Sequence, residues 1–365
     1  MQITVLCKVV DNFGDIGVAW RLCRRLAKIQ SKYKISLLVD DLEAFSKIED
    51  RLPRQVTKQS IIIDGIEIFP WTDDELCHEV FSQNDGERLS IILELFQCGR
   101  PDWMERILFE EKLKRTVQII MIDYLTAEKY AEDFHCLQSL TRSAKVQKVN
   151  FMPGFTEKTG GLVIDEEWQE VPPYKTDGPV LIFTYESDWS LLAEALAAYC
   201  KEGGHKALIA QGRGKDSFIS ATEACGADNF IEELPYLNQT EWDKMMKDCS
   251  ALVIRGEESM SRACLSGIPF IWQAYPQSEE YQLVKVRALL ERMRPHFDKA
   301  DFEIVEKVWI AINSPDECGN PYYDFFTTLP RLVHGFHAFA CSLRKNGDLA
   351  CNLMTYIEKI AIIEQ

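Results

Sequence analysis

Apolar runs alternate with segments of helical periodicity through the first half of the chain. Strand-like runs occupy residues 3–10, 35–39, 61–63, 66–69, 117–122 and 146–151. Nearly continuous apolar strands separated by helices are typical of a parallel sheet that helices cover on both faces. The pattern therefore predicts an α/β domain in this half.

A second series of the same kind follows residues 166–178, where Pro172-Pro173 and Asp177-Gly178 indicate a linker. Its strand-like runs are 180–184, 206–210, 230–234, 251–254 and 270–272, and its helical patterns include 189–199, 239–249, 281–292 and 303–312. A final helical pattern at 349–363 can return to the first domain. We expect a first domain of residues 1–172 plus about 350–365 and a second domain of 173–349.

One glycine-rich turn carries two carboxylates. Asp11-Asn12-Phe13-Gly14-Asp15-Ile16-Gly17 joins the first strand to a helical pattern at 18–29, so it lies where ligands bind in open α/β sheets. Gly14 and Gly17 allow a ligand to approach the backbone or the backbone to take positive φ. Because carboxylates repel phosphate, Asp11 and Asp15 favour proton chemistry or recognition of a cation. The alternative for Asp15 is a helix N-cap.

A second polar segment, Arg255-Gly256-Glu257-Glu258-Ser259, follows the run at 251–254 and leads into a helix. Arg255 can pair with phosphate, Gly256 permits close approach, and Ser259 lies where free helix N–H groups attract anions. The two glutamates suit sugar hydroxyls better than phosphate. The segment therefore indicates a site for a nucleotide diphosphate sugar.

Aromatic and amide side chains flank that segment. Tyr236, Gln239 and Trp242 can hold a nucleobase by stacking and hydrogen bonding, and Tyr275 can donate to a phosphate oxygen. Helix capping, surface ion pairing or core packing would explain any one of these residues alone. Their shared position at strand carboxyl ends favours a functional reading.

Neither glycine-rich segment matches a known phosphate loop. The turn at 11–17 lacks G-x-G-x-x-G, and residues 211–216 lack the first glycine and the hydroxyl residue of a Walker loop, so we read them as a strand-to-loop turn. Two Rossmann-like domains without a nicotinamide fingerprint predict the GT-B glycosyltransferase architecture, with two facing domains and a cleft between them.

Composition removes several classes of function. The chain has 365 residues, 46% of them hydrophobic, and a net charge of −16, which disfavours nucleic-acid binding. The sequence has twelve cysteines but no C-x-x-C pair, so we expect buried thiols such as Cys7, Cys23, Cys200, Cys249 and Cys264. His334 and His337 are close together but have no acidic or cysteine partner at the spacing of a zinc site. No signal-like or membrane-spanning segment occurs, which predicts a cytoplasmic protein. Because no recognisable metal spacing is present, we expect neither a metal nor a cofactor.

The motifs together resemble the EarP family, protein-arginine rhamnosyltransferases that modify elongation factor P. The resemblance covers nearly the whole chain, through residues 11–18 with Trp20-Arg21-Leu22, 124–128, 153–162, 183–186, 255–259 and 272–277. It implies inverting, metal-independent transfer of rhamnose from dTDP-β-L-rhamnose to one arginine of that factor. The first domain would bind the acceptor protein and the second the donor.

The resemblance also assigns residues. Asp11, Asp15 and Glu257 fall at catalytic positions; the donor positions are Gly14, Gly17, Phe183, Tyr185, Tyr236, Gln239, Trp242, Arg255, Gly256, Glu258, Ser259 and Tyr275. Within that set, Phe183 and Tyr185 would join residues 236, 239 and 242 around thymidine. Glu258 and Met260 stand where Asp and Phe are usual, and Tyr236 and Trp242 where Phe is usual.

The chemistry of arginine agrees with two acids on one turn. A guanidinium has a pKa above about 12, so its nitrogen attacks only after a carboxylate has oriented and deprotonated it. We expect Asp15 to be the base, Asp11 to hold the guanidinium and Glu257 to orient it or the sugar. Two alternatives are a nucleotide-sugar transferase with another acceptor and a catalytically dead module that binds elongation factor P.

Overall fold

The computed structural model describes residues 2–10, 13–53, 59–111, 113–314 and 320–363. Internal contacts divide the chain into two compact units, one of residues 1–167 with 346–365 and the other of residues 168–345. The boundaries expected from the sequence were 172 and about 350.

The described part of the first unit contains an eight-stranded sheet. Its strands are β1 Gln2–Cys7, β2 Lys34–Val39, β3 Ile61–Ile63, β4 Ile66–Pro70, β5 Ile91–Leu95, β6 Val117–Ile122, β7 Gln138–Ser139 and β8 Val146–Asn150. They lie in the order β3-β4-β2-β1-β5-β6-β8-β7, and only the edge strands β3 and β7 pair antiparallel. The chain builds one side of the sheet from β1 and then returns to build the other from β5. The switch point between β1 and β5 is where such sheets place a ligand crevice.

Helices cover both faces of this sheet. They are α1 Gly14–Ile29, α2 Leu42–Ser46, α3 Asp74–Gly86, α4 Asp102–Phe109, α5 Tyr130–Phe134 and α14 Leu349–Ile363. Alternate residues of β1 face opposite ways: Val5 packs in a core with α1 and α14, and Leu6 packs in a second core with α3 and α4. The final helix therefore contributes to the core of the first unit.

The described residues of the second unit form a five-stranded parallel sheet with the order β11-β10-β9-β12-β13. Its strands are β9 Val180–Ile182, β10 Ala207–Ile209, β11 Ile231–Glu233, β12 Ala251–Arg255 and β13 Phe270–Gln273. The helices are α6 Ser190–Gly203, α7 Lys215–Ala224, α8 Gln239–Lys247, α9 Glu257–Ser266, α10 Tyr281–Met293, α11 Lys299–Asn313, α12 Tyr322–Thr327 and α13 Leu329–Lys345. The switch point here lies between β9 and β12.

The structure differs from the sequence-based expectation at several places. The first strand ends at Cys7, and Val10, which the apolar run had included, is 75% exposed. Strand β5 was not predicted, because Glu94 interrupts its apolar run; the structure buries Glu94 and pairs it with Arg100. The expected linker packs on the second unit through Trp168, which is fully buried.

The cysteines behave as the apolar patterns predicted. The five expected thiols, at positions 7, 23, 200, 249 and 264, are all buried and free. Burial raises the pKa of Cys200 to about 11 and that of Cys249 to about 12. Among the described residues, no helix combines the length and the apolar character needed to cross a membrane.

Candidate active site

The turn after β1 is held by two carboxylates. Asp15 lies in the first turn of α1, is 3% exposed, and accepts a hydrogen bond from the Val10 N–H at 2.9 Å. Asp40, which follows β2, accepts from the neighbouring Val9 N–H at 2.8 Å. Because a helix N-terminus stabilises negative charge, the position of Asp15 favours a carboxylate there. Asp15 is not the N-cap of α1; that residue is Phe13.

The other predicted residues of this turn are only partly described. Asp11 and Asn12 lie outside the described residues. Gly14 and Gly17 belong to the first turn of α1 and have helical backbone, so the turn does not use the positive φ that glycine allows. Burial, and then the nearby Asp15, raises the pKa of the Cys7 thiol well above its usual value, which keeps that thiol protonated at neutral pH.

The switch point of the second unit holds a guanidinium among aromatic rings. The guanidinium carbon of Arg255, at the end of β12, lies 4.4 Å from the ring centre of Phe183 and 4.5 Å from that of Tyr185, both just after β9. Its buried Nε has no hydrogen-bond partner among the described residues, and Arg255 pairs with no described carboxylate. A cation that pairs with no carboxylate of the described residues and lies against two rings is suited to bind an anion.

Further rings extend this cluster. Trp242 packs edge-on against Phe183 with ring centres 5.0 Å apart, and Tyr275 packs edge-on against Tyr185 at 5.3 Å. Tyr236 is 70% exposed and lies outside these ring contacts. Gln239 begins α8, whose N-terminus is closed by a capping box of Asn238 and Glu241. The structure thus brings together four of the predicted aromatic residues and leaves Tyr236 at the surface.

Sequence reasoning missed three residues that shape the cluster. The Gln273 side chain accepts from the Tyr185 N–H at 2.7 Å and so fixes the chain after β9. A Cβ on Gly212 would lie 3.0 Å from the Phe183 ring, and a Cβ on Gly214 would lie 2.4 Å from the Tyr185 carbonyl oxygen. The available signal was their position at the carboxyl ends of strands: Gln273 is the last residue of β13, and Gly212 and Gly214 lie in the loop between β10 and α7.

The N-terminus of α9 carries the second acidic pair. Gly256, its N-cap, has a φ of 74°, which favours glycine. The Oε1 of Glu257 lies 3.5 Å from the Nζ of Lys285 on α10, a residue that the sequence did not single out. Glu258 lies 3.9 Å from the Nε of Arg262, and Ser259 is buried in the first turn. Both glutamates thus have cationic neighbours within the unit.

The described residues contain no group of three or more His, Cys, Asp or Glu side chains arranged to hold a metal ion. Lys215, in the loop that superficially resembles a Walker motif, forms a 2.6 Å ion pair with Glu233. The sequence predicted a strand-to-loop turn at residues 211–216; in the structure this segment leads from β10 into α7, which begins at Lys215.

Solved structures with a similar fold include glycosyltransferases. A structure solved as the basis for EarP-mediated arginine glycosylation of translation elongation factor EF-P aligns with a TM-score of 0.59, over 98% of this chain and 99% of that one, at 17% identity. The glycotransferase of kitacinnamycin aligns with a TM-score of 0.52 over 98% of each chain, at 12% identity. These likenesses and the two Rossmann-like units define a GT-B glycosyltransferase fold, as the sequence predicted.

The sequence carries the assignment further. The family model for Elongation-Factor P (EF-P) rhamnosyltransferase EarP matches residues 3–358. A protein-arginine rhamnosyltransferase of Shewanella oneidensis is 28% identical over 97% of both chains, and one of Pseudomonas aeruginosa is 27% identical over 96% of this chain and 97% of the relative. The chain belongs to the EarP family, an enzyme family of protein-arginine rhamnosyltransferases. The resemblance found in the sequence motifs is therefore confirmed.

Proposed function

We propose that this enzyme transfers L-rhamnose from dTDP-β-L-rhamnose to one arginine of elongation factor P, in the cytoplasm and without a metal ion. Membership of the family supports the acceptor and the sugar. The observation that carries the donor assignment is Arg255, a cation that pairs with no described carboxylate and lies against Phe183 and Tyr185.

The proposed reaction is a single displacement with inversion. A guanidine nitrogen of the acceptor arginine attacks the anomeric carbon, the bond from that carbon to the diphosphate oxygen breaks, and the proton of the attacking nitrogen passes to Asp15. Asp11 and Glu257 hold and orient the guanidinium or the sugar. Because Asp15 is buried, the acceptor must reach a carboxylate with little exposed surface.

The departing dTDP requires stabilisation of its developing negative charge. Arg255, the Tyr275 hydroxyl and the N–H groups around Ser259 supply it in this proposal. Phe183, Tyr185, Trp242, Tyr236 and Gln239 are assigned to the thymidine part. Glu258 is assigned to the sugar hydroxyls, and Gly14, Gly17 and Gly256 to backbone approach.

The base assignment is tested by Asp15→Asn, which retains an oxygen for the Val10 N–H and removes the charge. Asp40→Asn is the matched control, since Asp40 holds the adjacent N–H of the same turn at a similar distance. We expect Asp15→Asn to lose at least about 100-fold in turnover while Asp40→Asn retains most activity, measured by mass spectrometry as one deoxyhexose added to a single arginine of elongation factor P. Equal losses in both variants would assign Asp15 to the structure of the turn.

The donor assignment is tested by thermal stabilisation with dTDP, UDP and GDP. We expect dTDP to stabilise the parent most and Arg255→Gln to lose that stabilisation. Arg213→Gln, an exposed arginine in the loop before α7, should respond as the parent does. Stabilisation of Arg255→Gln equal to that of the parent would refute the role of Arg255 in phosphate binding.

A further inference from the structure

The carboxyl edge of the first-unit sheet carries a second built feature, which the proposed chemistry does not use. β5 and β6 are neighbours in the sheet, and the Phe96 N–H extends their pairing by donating to the Ile122 carbonyl at 2.8 Å. Directly after this bond, the rings of Phe96 and Tyr124 stack with centres 4.6 Å apart and an interplanar angle of 23°. Tyr124 is 40% exposed, so this aromatic pair is partly accessible at the surface.

A carboxylate is fixed at the base of this stack. Asp123 accepts from the Gln97 side-chain amide at 2.8 Å through Oδ2 and from the Tyr124 N–H at 2.8 Å through Oδ1. Each carboxylate oxygen has a second acceptor position. We call Phe96, Gln97, Asp123 and Tyr124 the aromatic platform.

The backbone that forms the platform is strained. Phe96 and Gln97 have consecutive positive φ angles of 55° and 53°, although neither is glycine. Such conformations persist where surrounding structure enforces them, and they cluster at functional sites. Here an ion pair between the buried Glu94 and the partly buried Arg100 links the two ends of the strained segment, and the Arg100 Nε also donates to Glu105 at 2.6 Å.

The position of the platform relates it to the turn of Asp15. β1, β5 and β6 are successive neighbours, and adjacent strands lie about 4.8 Å apart, so the ends of β1 and β6 are separated by roughly 10 Å. That distance corresponds to about three residues of extended polypeptide. A protein that presents an arginine to the turn can therefore place a nearby side chain on the platform.

We infer that the aromatic platform binds a second cationic side chain of the acceptor protein, about 10 Å from the modified arginine, and so helps to select the acceptor. An exposed aromatic face beside a fixed carboxylate matches a guanidinium or an ammonium, which stacks on the ring and donates to the oxygens. The charge of this edge agrees, since Asp15 and Asp40 lie there too and the whole chain has a net charge of −16. This inference rests on the proposed function, because it assigns acceptor binding to the first unit.

The test compares Tyr124→Leu with Tyr124→Phe, which retains the aromatic face. Tyr130→Leu is the control, since Tyr130 is 41% exposed and belongs to α5. We expect Tyr124→Leu and Asp123→Asn to raise the KM for elongation factor P by about tenfold, with kcat and the donor KM unchanged. Tyr124→Phe should restore the parental KM, and Tyr130→Leu should not change it.

A double-mutant cycle identifies the partner. Each lysine or arginine of elongation factor P within four positions of the modified arginine is changed to glutamine, and one such change should abolish the effect of Tyr124→Leu. The inference is overturned if Tyr124→Leu lowers kcat alone, if Tyr130→Leu raises KM equally, or if no acceptor cation couples to Tyr124.

Binding without donor separates this inference from the proposed function. The Kd of elongation factor P for the parent and for Tyr124→Leu is measured by calorimetry in the absence of dTDP-rhamnose. A parent that binds but never transfers rhamnose would refute the proposed function, while a weaker Kd for Tyr124→Leu would still support the platform. An unchanged Kd would refute the platform even if transfer occurs.

Discussion

Gly214 offers a test of how closely the second unit must pack around its candidate donor site. Its φ of −87° is open to any residue, so the backbone conformation does not require glycine. The requirement is steric: a Cβ would lie 2.4 Å from the Tyr185 carbonyl oxygen and 2.5 Å from that of Thr184. Non-bonded heavy atoms prefer separations of about 3.5 Å, so Gly214→Ala must displace the chain after β9 by about 1 Å.

That displacement has two expected consequences. Overpacking of this kind costs about 1–3 kcal/mol, which lowers the melting temperature of a unit of this size by roughly 2–12 °C. The shift also moves the Tyr185 ring relative to Arg255, which lies 4.5 Å from its centre. Because misplacement by about 1 Å can cost about 100-fold in rate, we expect both weaker dTDP binding and slower transfer.

Gly226, just beyond the other end of α7, is the matched control. It has a φ of 68° and no atom within 4 Å of a Cβ, so Gly226→Ala costs about 1 kcal/mol through backbone strain alone. Calorimetric melting and dTDP titration of the two variants distinguish the mechanisms. Parental melting and parental dTDP affinity in Gly214→Ala would refute the steric argument, as would equal loss of dTDP affinity in Gly226→Ala.

Two further predictions concern the first unit. Asp348 accepts a hydrogen bond from the Ile164 N–H at 2.9 Å and forms an ion pair with the Arg25 Nε at 2.8 Å. We expect Asp348→Ala to lower the free energy of unfolding in urea by about 3–5 kcal/mol, and Asp348→Asn to lower it distinctly less. Equal losses in the two variants would contradict this prediction. The Nδ1 of His135 accepts a hydrogen bond from the Met152 N–H, and burial lowers the pKa of this imidazole. Below pH about 6.5, the unfolded chain therefore binds a proton at His135 that the folded chain does not bind. The free energy of unfolding should therefore decrease as the pH drops from 7.5 to 5.5, and His135→Gln should make that decrease smaller. If His135→Gln shows the same pH dependence of unfolding as the parent, His135 does not contribute.

The strand pattern was predictable because strands of a parallel sheet are buried on both faces. Runs such as 251–254 and 270–272 match the observed strands β12 and β13, since nothing polar interrupts them. Strand β5 was missed because its one charged residue, Glu94, is neutralised by Arg100, a partner beyond the end of the strand. Local periodicity does not reveal a compensating charge that only the folded loop brings into place.

The candidate site was predictable in position and less so in detail. Asp15 and Arg255 stand at strand carboxyl ends, which the run lengths alone indicated. The contacts of Arg255 were not predictable, because Phe183 and Tyr185 are about seventy residues away and meet it only through the parallel pairing of β9 with β12. The contact between Glu257 and Lys285 was also not predictable, because the two residues belong to different helices that only the folded unit brings together.

The two units repeat one arrangement with different charged side chains. In each unit, the residues of the candidate sites lie at the carboxyl ends of the two strands that flank the switch point. In the first unit these are Asp15 after β1 and Phe96 after β5. In the second they are Tyr185 after β9 and Arg255 at the end of β12. The first unit has the Asp15 carboxylate there. The second has Arg255, which pairs with no described carboxylate, and the adjacent Glu257 and Glu258 have cationic neighbours of their own. In the proposed reaction, Asp15 serves the cationic acceptor and Arg255 serves the anionic donor, so the shared fold supplies the positions and the charged side chains at each switch point distinguish the two roles.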